Sequence, residues 1–270
     1  GRRKTLSSRF GSTATRANGS TYGRSPMPRR SPASSAGRQR SSYGPARRSG
    51  GGKTEEINFS RFINKAEPQA VVEVFVPEHS FRDFEILNSL KSSIIRKGYD
   101  APTPIQDKAI PALLKGRDIV GVANTGTGKT AAFLIPLINK VLLARREQIM
   151  IIVPTRELAI QIDDELRQFT PGMKIYSVCC VGGAPINKQI SQLRYQYNFI
   201  IGTPGRIKDL IERKYIHPAE FRSIVLDEAD RMLDMGFIAD MRAVMNAMPV
   251  ERQTLFFSAT VNRDIEKLIT

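Results

Sequence analysis

Residues 118–130 read Asp-Ile-Val-Gly-Val-Ala-Asn-Thr-Gly-Thr-Gly-Lys-Thr. A short apolar run ends there in a turn with two glycines, and an amphipathic helical pattern follows at once. The same alternation of apolar runs and helical patterns continues along the rest of the chain. The runs rich in Ile, Val or Phe predict strands over Asp118–Ala123, Gln148–Val153, Lys174–Val181, Phe199–Gly202, Ser223–Leu226 and Thr254–Phe257.

Helical patterns separate these strands and predict helices over Thr130–Leu143, Arg156–Phe169, Pro185–Tyr195, Arg206–Arg213 and Phe237–Met248. Strands that alternate with helices form βαβ units, and these give a mostly parallel sheet with helices on both faces. The predicted fold class is therefore α/β with three layers, αβα. Ligands of such sheets bind beyond the carboxyl ends of the strands, so the residues after each strand are the functional candidates.

The glycine-rich turn predicts a phosphate-binding loop formed by Ala123, Asn124, Thr125, Gly126, Thr127, Gly128, Lys129 and Thr130. The two glycines allow successive backbone N–H groups to wrap a phosphate, and the following helix directs its positive end at the same anion. We expect Lys129 to reach the β- and γ-phosphates and the Thr130 hydroxyl to coordinate Mg²⁺. Ala123 departs from the general pattern, which begins with glycine.

A second chemical signal follows the apolar run Ser223–Leu226, where the chain continues Asp227-Glu228-Ala229-Asp230. In a nucleotide hydrolase the first carboxylate binds Mg²⁺ largely through water, because Mg²⁺ keeps most of its hydration shell. The second carboxylate orients or deprotonates the attacking water. We therefore predict that Lys129, Asp227 and Glu228 are catalytic and that Thr130 and Asp227 hold the metal. The alternative is a cluster of charges at a helix N-terminus.

The basic charge of the protein is concentrated in one tail. Residues 1–53 contain 13 Lys and Arg and no acidic residue, whereas the other 217 residues contain 28 basic and 26 acidic side chains. The tail is rich in Ser, Gly and Arg and cannot bury enough apolar surface to offset its ordering entropy, which predicts disorder over residues 1–55. An RNA-binding arm, a solvated linker and an organelle transit peptide are the alternatives for its role.

The rest of the chain divides into a linker or edge segment over residues 56–78 and one folded domain over residues 79–270. Within the segment, Val71–Val76 fits either an edge strand or an extended arm. The two cysteines are adjacent in sequence, which excludes a disulfide framework and a four-ligand zinc site and suits a reducing compartment. No apolar run reaches the roughly 18 residues of a membrane span.

From Phe81 onward these segments resemble the DEAD-box RNA helicases, and specifically their first RecA-like domain. The tetrapeptide Asp227–Asp230 is similar to the one that names the family. Residues 98–106 look like the adenine-reading segment of the family, and Phe81 lies seventeen residues before Gly98. The resemblance implies that Gln106 hydrogen-bonds the adenine edge, that Tyr99 stacks on the base, and that Phe81 belongs to the same site.

The resemblance also implies that three segments grip the backbone of single-stranded RNA, through Pro154, Thr155, Arg156, Gly182, Gly183, Thr203, Pro204, Gly205 and Arg206. Helix N-termini, hydroxyls, glycine amides and arginines all bind phosphates without reading bases. Ser258 and Thr260 resemble the coupling segment of the family, which hydrogen-bonds Asp230 and links the nucleotide state to RNA strand separation. Either hydroxyl could instead cap the next helix.

The expected function is that of an ATP-dependent RNA helicase, with ATP and Mg²⁺ as cofactors and single-stranded or short duplex RNA as partner. We expect ribonucleoprotein or ribosomal assemblies as further partners and a cytoplasmic location, with the nucleus or an organelle left open. The second RecA-like domain of the family lies outside these 270 residues, so the isolated chain should be nearly inactive. A nonhydrolytic RNA-binding or scaffold protein is the alternative from another class.

Overall fold

A computed structural model describes residues 75–260 together with Arg263, Ile265 and Leu268. The predicted disordered tail and most of the linker or edge segment lie outside these residues. Of the ambiguous stretch Val71–Val76, only Phe75 and Val76 are described, and neither belongs to a strand. The assignments of residues 1–55 and 56–78 therefore stay predictions.

Six parallel strands form one sheet, and every one of the predicted strands is confirmed. The strands are β1 (Ile119–Val122), β2 (Ile149–Ile152), β3 (Ser177–Cys180), β4 (Phe199–Gly202), β5 (Ser223–Leu226) and β6 (Gln253–Ser258). Their spatial order is β1-β6-β5-β2-β4-β3. The third strand is shorter than the prediction over Lys174–Val181, because residues 174–176 do not join the ladder.

Eight α-helices lie in the described part of the chain. They are α1 (Asn88–Arg96), α2 (Pro104–Leu114), α3 (Lys129–Leu143), α4 (Arg156–Phe169), α5 (Ile186–Leu193), α6 (Pro204–Glu212), α7 (Ala229–Asp234) and α8 (Ile238–Ala247). The five predicted helices agree with α3, α4, α5, α6 and α8 to within two residues at each end. Helix α6 begins earlier than predicted because Pro204 occupies its first position, where a missing N–H costs nothing.

Helices cover both faces of the sheet, which confirms the three-layer αβα prediction. Alternate residues of each strand enter opposite cores: Ile149 and Ile151 pack with α1–α4, whereas Met150 and Ile152 pack with α6–α8. Two-sided burial explains why these strands are unbroken apolar runs instead of alternating patterns. Among the described residues, no helix has both the length and the apolar character needed to cross a bilayer.

Candidate functional site

The carboxyl ends of all six strands meet at one edge of the sheet, and every predicted functional segment except the adenine-reading residues follows one of them. Val122 pairs with Ser258, and Ile152 pairs with both Leu226 and Gly202. The phosphate loop, residues 258–260 and residues 227–230 therefore share the half of the edge formed by β1, β6 and β5. The three segments expected to bind RNA follow β2, β4 and β3 on the other half.

The phosphate loop has the backbone that its glycines predict. Gly126 and Gly128 adopt φ angles of 81° and 90°, in the left-handed region that disfavours other residues. The Lys129 side chain is only 7% exposed, and its Nζ donates a hydrogen bond to the Ala123 carbonyl at 2.9 Å. The loop thus folds around its own lysine, while Thr130 is partly buried in the first turn of α3.

The acidic pair begins directly after β5. Asp227 is 3% exposed, and its Oδ1 accepts a hydrogen bond from the Glu228 N–H at 3.0 Å. Burial raises the pKa of Asp227 to about 6, against the opposing effect of the nearby Lys129 ammonium. Glu228 has a φ of 54° and forms an ion pair with Arg231, with Oε2 and Nη1 3.1 Å apart. A buried carboxylate, a half-buried one and a buried lysine therefore lie close together at the end of the strands.

The backbone of the phosphate loop at Gly128 lies close to the start of α2, which leaves no room there for a side chain. The hydroxyl of Thr103 is buried without a hydrogen-bond partner among the described residues, and it lies 3.1 Å from where a Cβ on Gly128 would stand. A side chain at Gly128 would also lie 2.5 Å from Gln106 Nε2.

The residues expected to read adenine already contact protein groups. The Gln106 Oε1 accepts from the Thr103 N–H, and its Nε2 donates to the Gly128 carbonyl, each at 3.0 Å. The Tyr99 ring packs on Phe81 and Phe169 at centroid distances of 5.7 and 5.6 Å. Burial, and then the Glu165 carboxylate, raise the pKa of Tyr99 to about 12. Base reading by Phe81, Tyr99 and Gln106 stays a prediction.

Asp230 joins the acidic segment to the end of β6. Its Oδ2 accepts hydrogen bonds from the Ala259 N–H at 3.1 Å, the Thr260 N–H at 3.0 Å and the Thr260 hydroxyl at 3.2 Å. The Asp230 N–H in turn donates to Ser258 Oγ at 3.3 Å. Burial raises the pKa of Asp230, but hydrogen bonds from Arg231, Ser258 and Thr260 outweigh it and hold this pKa below its usual value. The residues predicted to link the nucleotide state to RNA strand separation are thus in direct contact.

The segments on the RNA half contact each other as well. The Arg156 guanidinium lies against Gly183, so a side chain at that glycine would collide with it. Thr155 caps α4 by accepting from the Leu158 N–H at 3.2 Å, and Pro154 is buried behind it. Gly205 is exposed at the start of α6, and the Thr203 N–H donates to the Cys180 carbonyl at 3.1 Å. Gly182 is partly exposed beside Gly183.

Sequence reasoning missed Gln189, which joins two of these segments. The Gln189 side chain is 4% exposed, and its Nε2 donates to the Val181 carbonyl at 3.0 Å. Its Oε1 accepts from Arg206 Nη1 at 2.9 Å, and the same nitrogen lies 3.3 Å from the Ala184 carbonyl. Arg206 is therefore engaged within the protein. No local signal marks Gln189, because a single glutamine on an amphipathic helix is ordinarily a surface residue.

A parallel sheet with a phosphate loop after β1 and an acidic pair after β5 defines the phosphate-loop nucleotide-binding class, and the fold is RecA-like. The chain belongs to the DEAD/DEAH box helicase family, whose model matches residues 103–268. The predicted family is thereby confirmed. The described residues confirm the predicted fold class as well.

Relatives and solved structures agree with this membership. The chain is 42% identical over 189 residues to the DEAD-box ATP-dependent RNA helicase RhpA of Helicobacter pylori (strain B128), covering 70% of this chain and 38% of that protein. It is similar to a DEAD box protein of Methanococcus jannaschii, with a TM-score of 0.68, 40% identity, and coverage of 72% of this chain and 53% of that one. A hypothetical ATP-dependent RNA helicase of Sulfolobus tokodaii gives a TM-score of 0.63 and 34% identity, with coverage of 68% and 54%. The chain therefore spans about two fifths to one half of these proteins.

Proposed function

We propose that the chain is the ATP-binding domain of an ATP-dependent RNA helicase, which couples ATP hydrolysis to local RNA unwinding or ribonucleoprotein remodelling. The observation that carries this proposal is the convergence of six functional segments on one sheet edge, three on each half. The halves are joined through the sheet by the pairing of Ile152 with Leu226. Nucleotide and RNA would thus bind side by side, so that a conformational change at one binding site would be transmitted directly to the other.

In the proposed reaction, the amide groups around Gly126 and Gly128 bind the phosphates of ATP, and Lys129 stabilises negative charge on the γ-phosphate. Thr130 and Asp227 would hold Mg²⁺, which supplies charge neutralisation between the phosphates when it is bound. A bound cation also favours the ionised form of the buried Asp227 carboxylate, whose pKa is otherwise raised. Glu228, the less buried carboxylate, orients the attacking water.

RNA would bind across the other half of the edge through Pro154, Thr155, Arg156, Gly182, Gly183, Thr203, Pro204, Gly205 and Arg206. The exposed Arg156 guanidinium offers a direct phosphate contact. Unlike Arg156, Arg206 forms hydrogen bonds to Gln189 and Ala184 within the protein. It would therefore support RNA binding by holding the loop that carries the two glycines. Single-stranded or short duplex RNA is the proposed partner, since none of these groups reads a base edge.

We further propose that full activity requires a second RecA-like domain in a longer protein, because a trans-acting arginine is worth roughly 10³ to 10⁵ in rate in related phosphoryl transfer. The Helicobacter pylori relative is much longer than the region that matches this chain, since that region covers 38% of its length. The basic tail would add contacts to RNA. Further partners would be ribonucleoprotein or ribosomal assemblies. The protein would act in the cytoplasm.

The test replaces Lys129 with alanine and Glu228 with glutamine in the longest natural form of the protein. RNA-stimulated ATP hydrolysis should fall by about 10² or more in each variant, while the far-ultraviolet circular dichroism stays unchanged. Asp234→Asn is the matched control, since Asp234 is exposed on α7 next to the site. Unchanged turnover in either site variant would remove the catalytic assignment, and RNA and ATP binding without any turnover would favour a nonhydrolytic scaffold.

A further inference from the structure

We infer that Asp107 is a positioning residue for base recognition, because its carboxylate ties the segment that carries Phe81 to the helix that carries Gln106. Asp107 follows Gln106 directly in α2 and is 5% exposed. Its Oδ2 accepts from the Glu78 N–H at 2.8 Å. Its Oδ1 accepts from the His79 N–H at 3.2 Å and lies 2.7 Å from His79 Nδ1. This inference rests on the proposed ATP site.

The partners of Asp107 are 28 and 29 residues upstream, so the contact is tertiary and not a helix cap. Burial raises the pKa of Asp107, but the hydrogen bonds from Glu78 and His79 outweigh it and hold this pKa below its usual value. The carboxylate is thus charged at neutral pH and binds its donors with charge-assisted hydrogen bonds, which are about twice as strong as neutral ones. One buried acceptor therefore anchors two consecutive residues of the upstream segment.

The anchored segment leads directly into the aromatic cluster of the candidate site. The His79 ring packs on Phe84 at 5.7 Å, and Phe81 meets Phe84 and Tyr99 edge to face at 5.8 and 5.7 Å. Phe81 is buried and lies two residues beyond His79. A displacement of residues 78–79 would therefore shift the Phe81 ring and, through it, the Tyr99 ring.

Two consecutive side chains of α2 thus hold different parts of the proposed nucleotide site. Consecutive residues of a helix point about 100° apart. Gln106 therefore reaches the Gly128 carbonyl of the phosphate loop while Asp107 reaches Glu78 and His79. Losing the Asp107 carboxylate would leave the Glu78 N–H unpaired and release the aromatic segment without touching the phosphate loop. The effect should fall on the base and not on the phosphates.

The experiment measures dissociation constants of the 270-residue chain for ATP, GTP and inorganic tripolyphosphate. Asp107→Ala should weaken ATP binding by about tenfold, which corresponds to about 1.4 kcal/mol, and leave the other two ligands within about twofold. His79→Ala, which removes only the side-chain contact, should act in the same direction by less. Asp83→Asn is the matched control: Asp83 Oδ2 accepts from the Ser80 N–H at 2.7 Å in the same segment, but it is exposed and makes no hydrogen bond to α2.

Each outcome bears on one claim. If the unaltered chain binds ATP no more tightly than tripolyphosphate, base recognition by the proposed site fails, and the role of Asp107 fails with it. If the unaltered chain prefers ATP and both variants keep that preference, only the role of Asp107 is overturned. Equal weakening of ATP and tripolyphosphate would also overturn it, since that result indicates general damage. If Asp107→Ala does not fold, the ratio of the dissociation constants of His79→Ala for ATP and tripolyphosphate decides alone whether the Asp107 contact supports base recognition.

Discussion

Replacing Gln189 with leucine tests whether the RNA half of the site is held together from inside the protein. The change conserves volume and removes two hydrogen bonds, one to the Val181 carbonyl and one from Arg206. Because Gln189 is 4% exposed, water cannot take its place at the Val181 carbonyl. The perturbation is therefore local to the loop that carries Gly182 and Gly183.

The magnitude follows from those two bonds. An orphaned buried carbonyl costs about 1–3 kcal/mol, and the bond from the partly exposed Arg206 adds about 1 kcal/mol after allowance for solvent. The leucine recovers part of this through its apolar surface. We expect a net loss of about 2 kcal/mol in the free energy of unfolding, which lowers Tm by about 4–8 °C in a domain of this size.

Thermal and urea unfolding give the stability difference, and titration with a single-stranded RNA gives the functional one. The dissociation constant for RNA should rise by about tenfold, or about 1.4 kcal/mol, whereas that for ATP should not change. Gln192→Leu is the control, because Gln192 lies on the same helix and is exposed. Equal Tm values for the two variants, or unchanged RNA affinity for Gln189→Leu, would refute the reasoning.

Three further predictions concern other parts of the molecule. Gly128→Ala should weaken ATP binding by at least about tenfold in a nucleotide titration, since Gly128 has a φ of 90° and its added Cβ would lie 2.5 Å from Gln106 Nε2. Because the pKa of Asp230 is lowered, the stability that Asp230→Asn removes should be fully present at pH 7 and should decrease as the pH falls from about 4 through the lower pKa of the folded state. An equal destabilisation at pH 7 and pH 3 in thermal unfolding would contradict this. Deleting residues 1–53 should flatten the salt dependence of RNA binding, by about 0.7 in log–log slope for each phosphate that the tail neutralises, and an unchanged slope would make the tail a linker.

Much of the fold could be predicted from the sequence because strands buried on both faces read as unbroken apolar runs. Strands β2, β4 and β5 are predicted to within a residue or two for this reason. Helices α1, α2 and α7 were not among the predicted helices. Helix α7 is only six residues long and begins after the left-handed Glu228, so it is too short to show an amphipathic period.

Some parts of the candidate site could be predicted from the sequence and others could not. The phosphate loop and the acidic tetrapeptide are local motifs, whose residues are neighbours in sequence and whose positions could be predicted directly. The hydrogen bonds of Tyr99 to Glu165 and of Gln106 to Gly128 were not predicted, since their partners are 66 and 22 residues away. Asp107 and Gln189 gave no signal at all, because one polar side chain on a helix does not reveal whether a distant backbone group needs it.

The amino-acid sequence alone determined the class of fold and the family, and it predicts the reactive groups, because hydrophobic period, glycine conformation and motif spacing are local properties of the chain. Only the tertiary structure decided which groups are neighbours. The last strand, β6, inserts between β1 and β5, and this insertion brings Thr260 to Asp230 across 30 residues of chain. Right-handed βαβ crossovers allow several strand orders for the same apolar runs, so the order that brings these segments together cannot be read from any single motif.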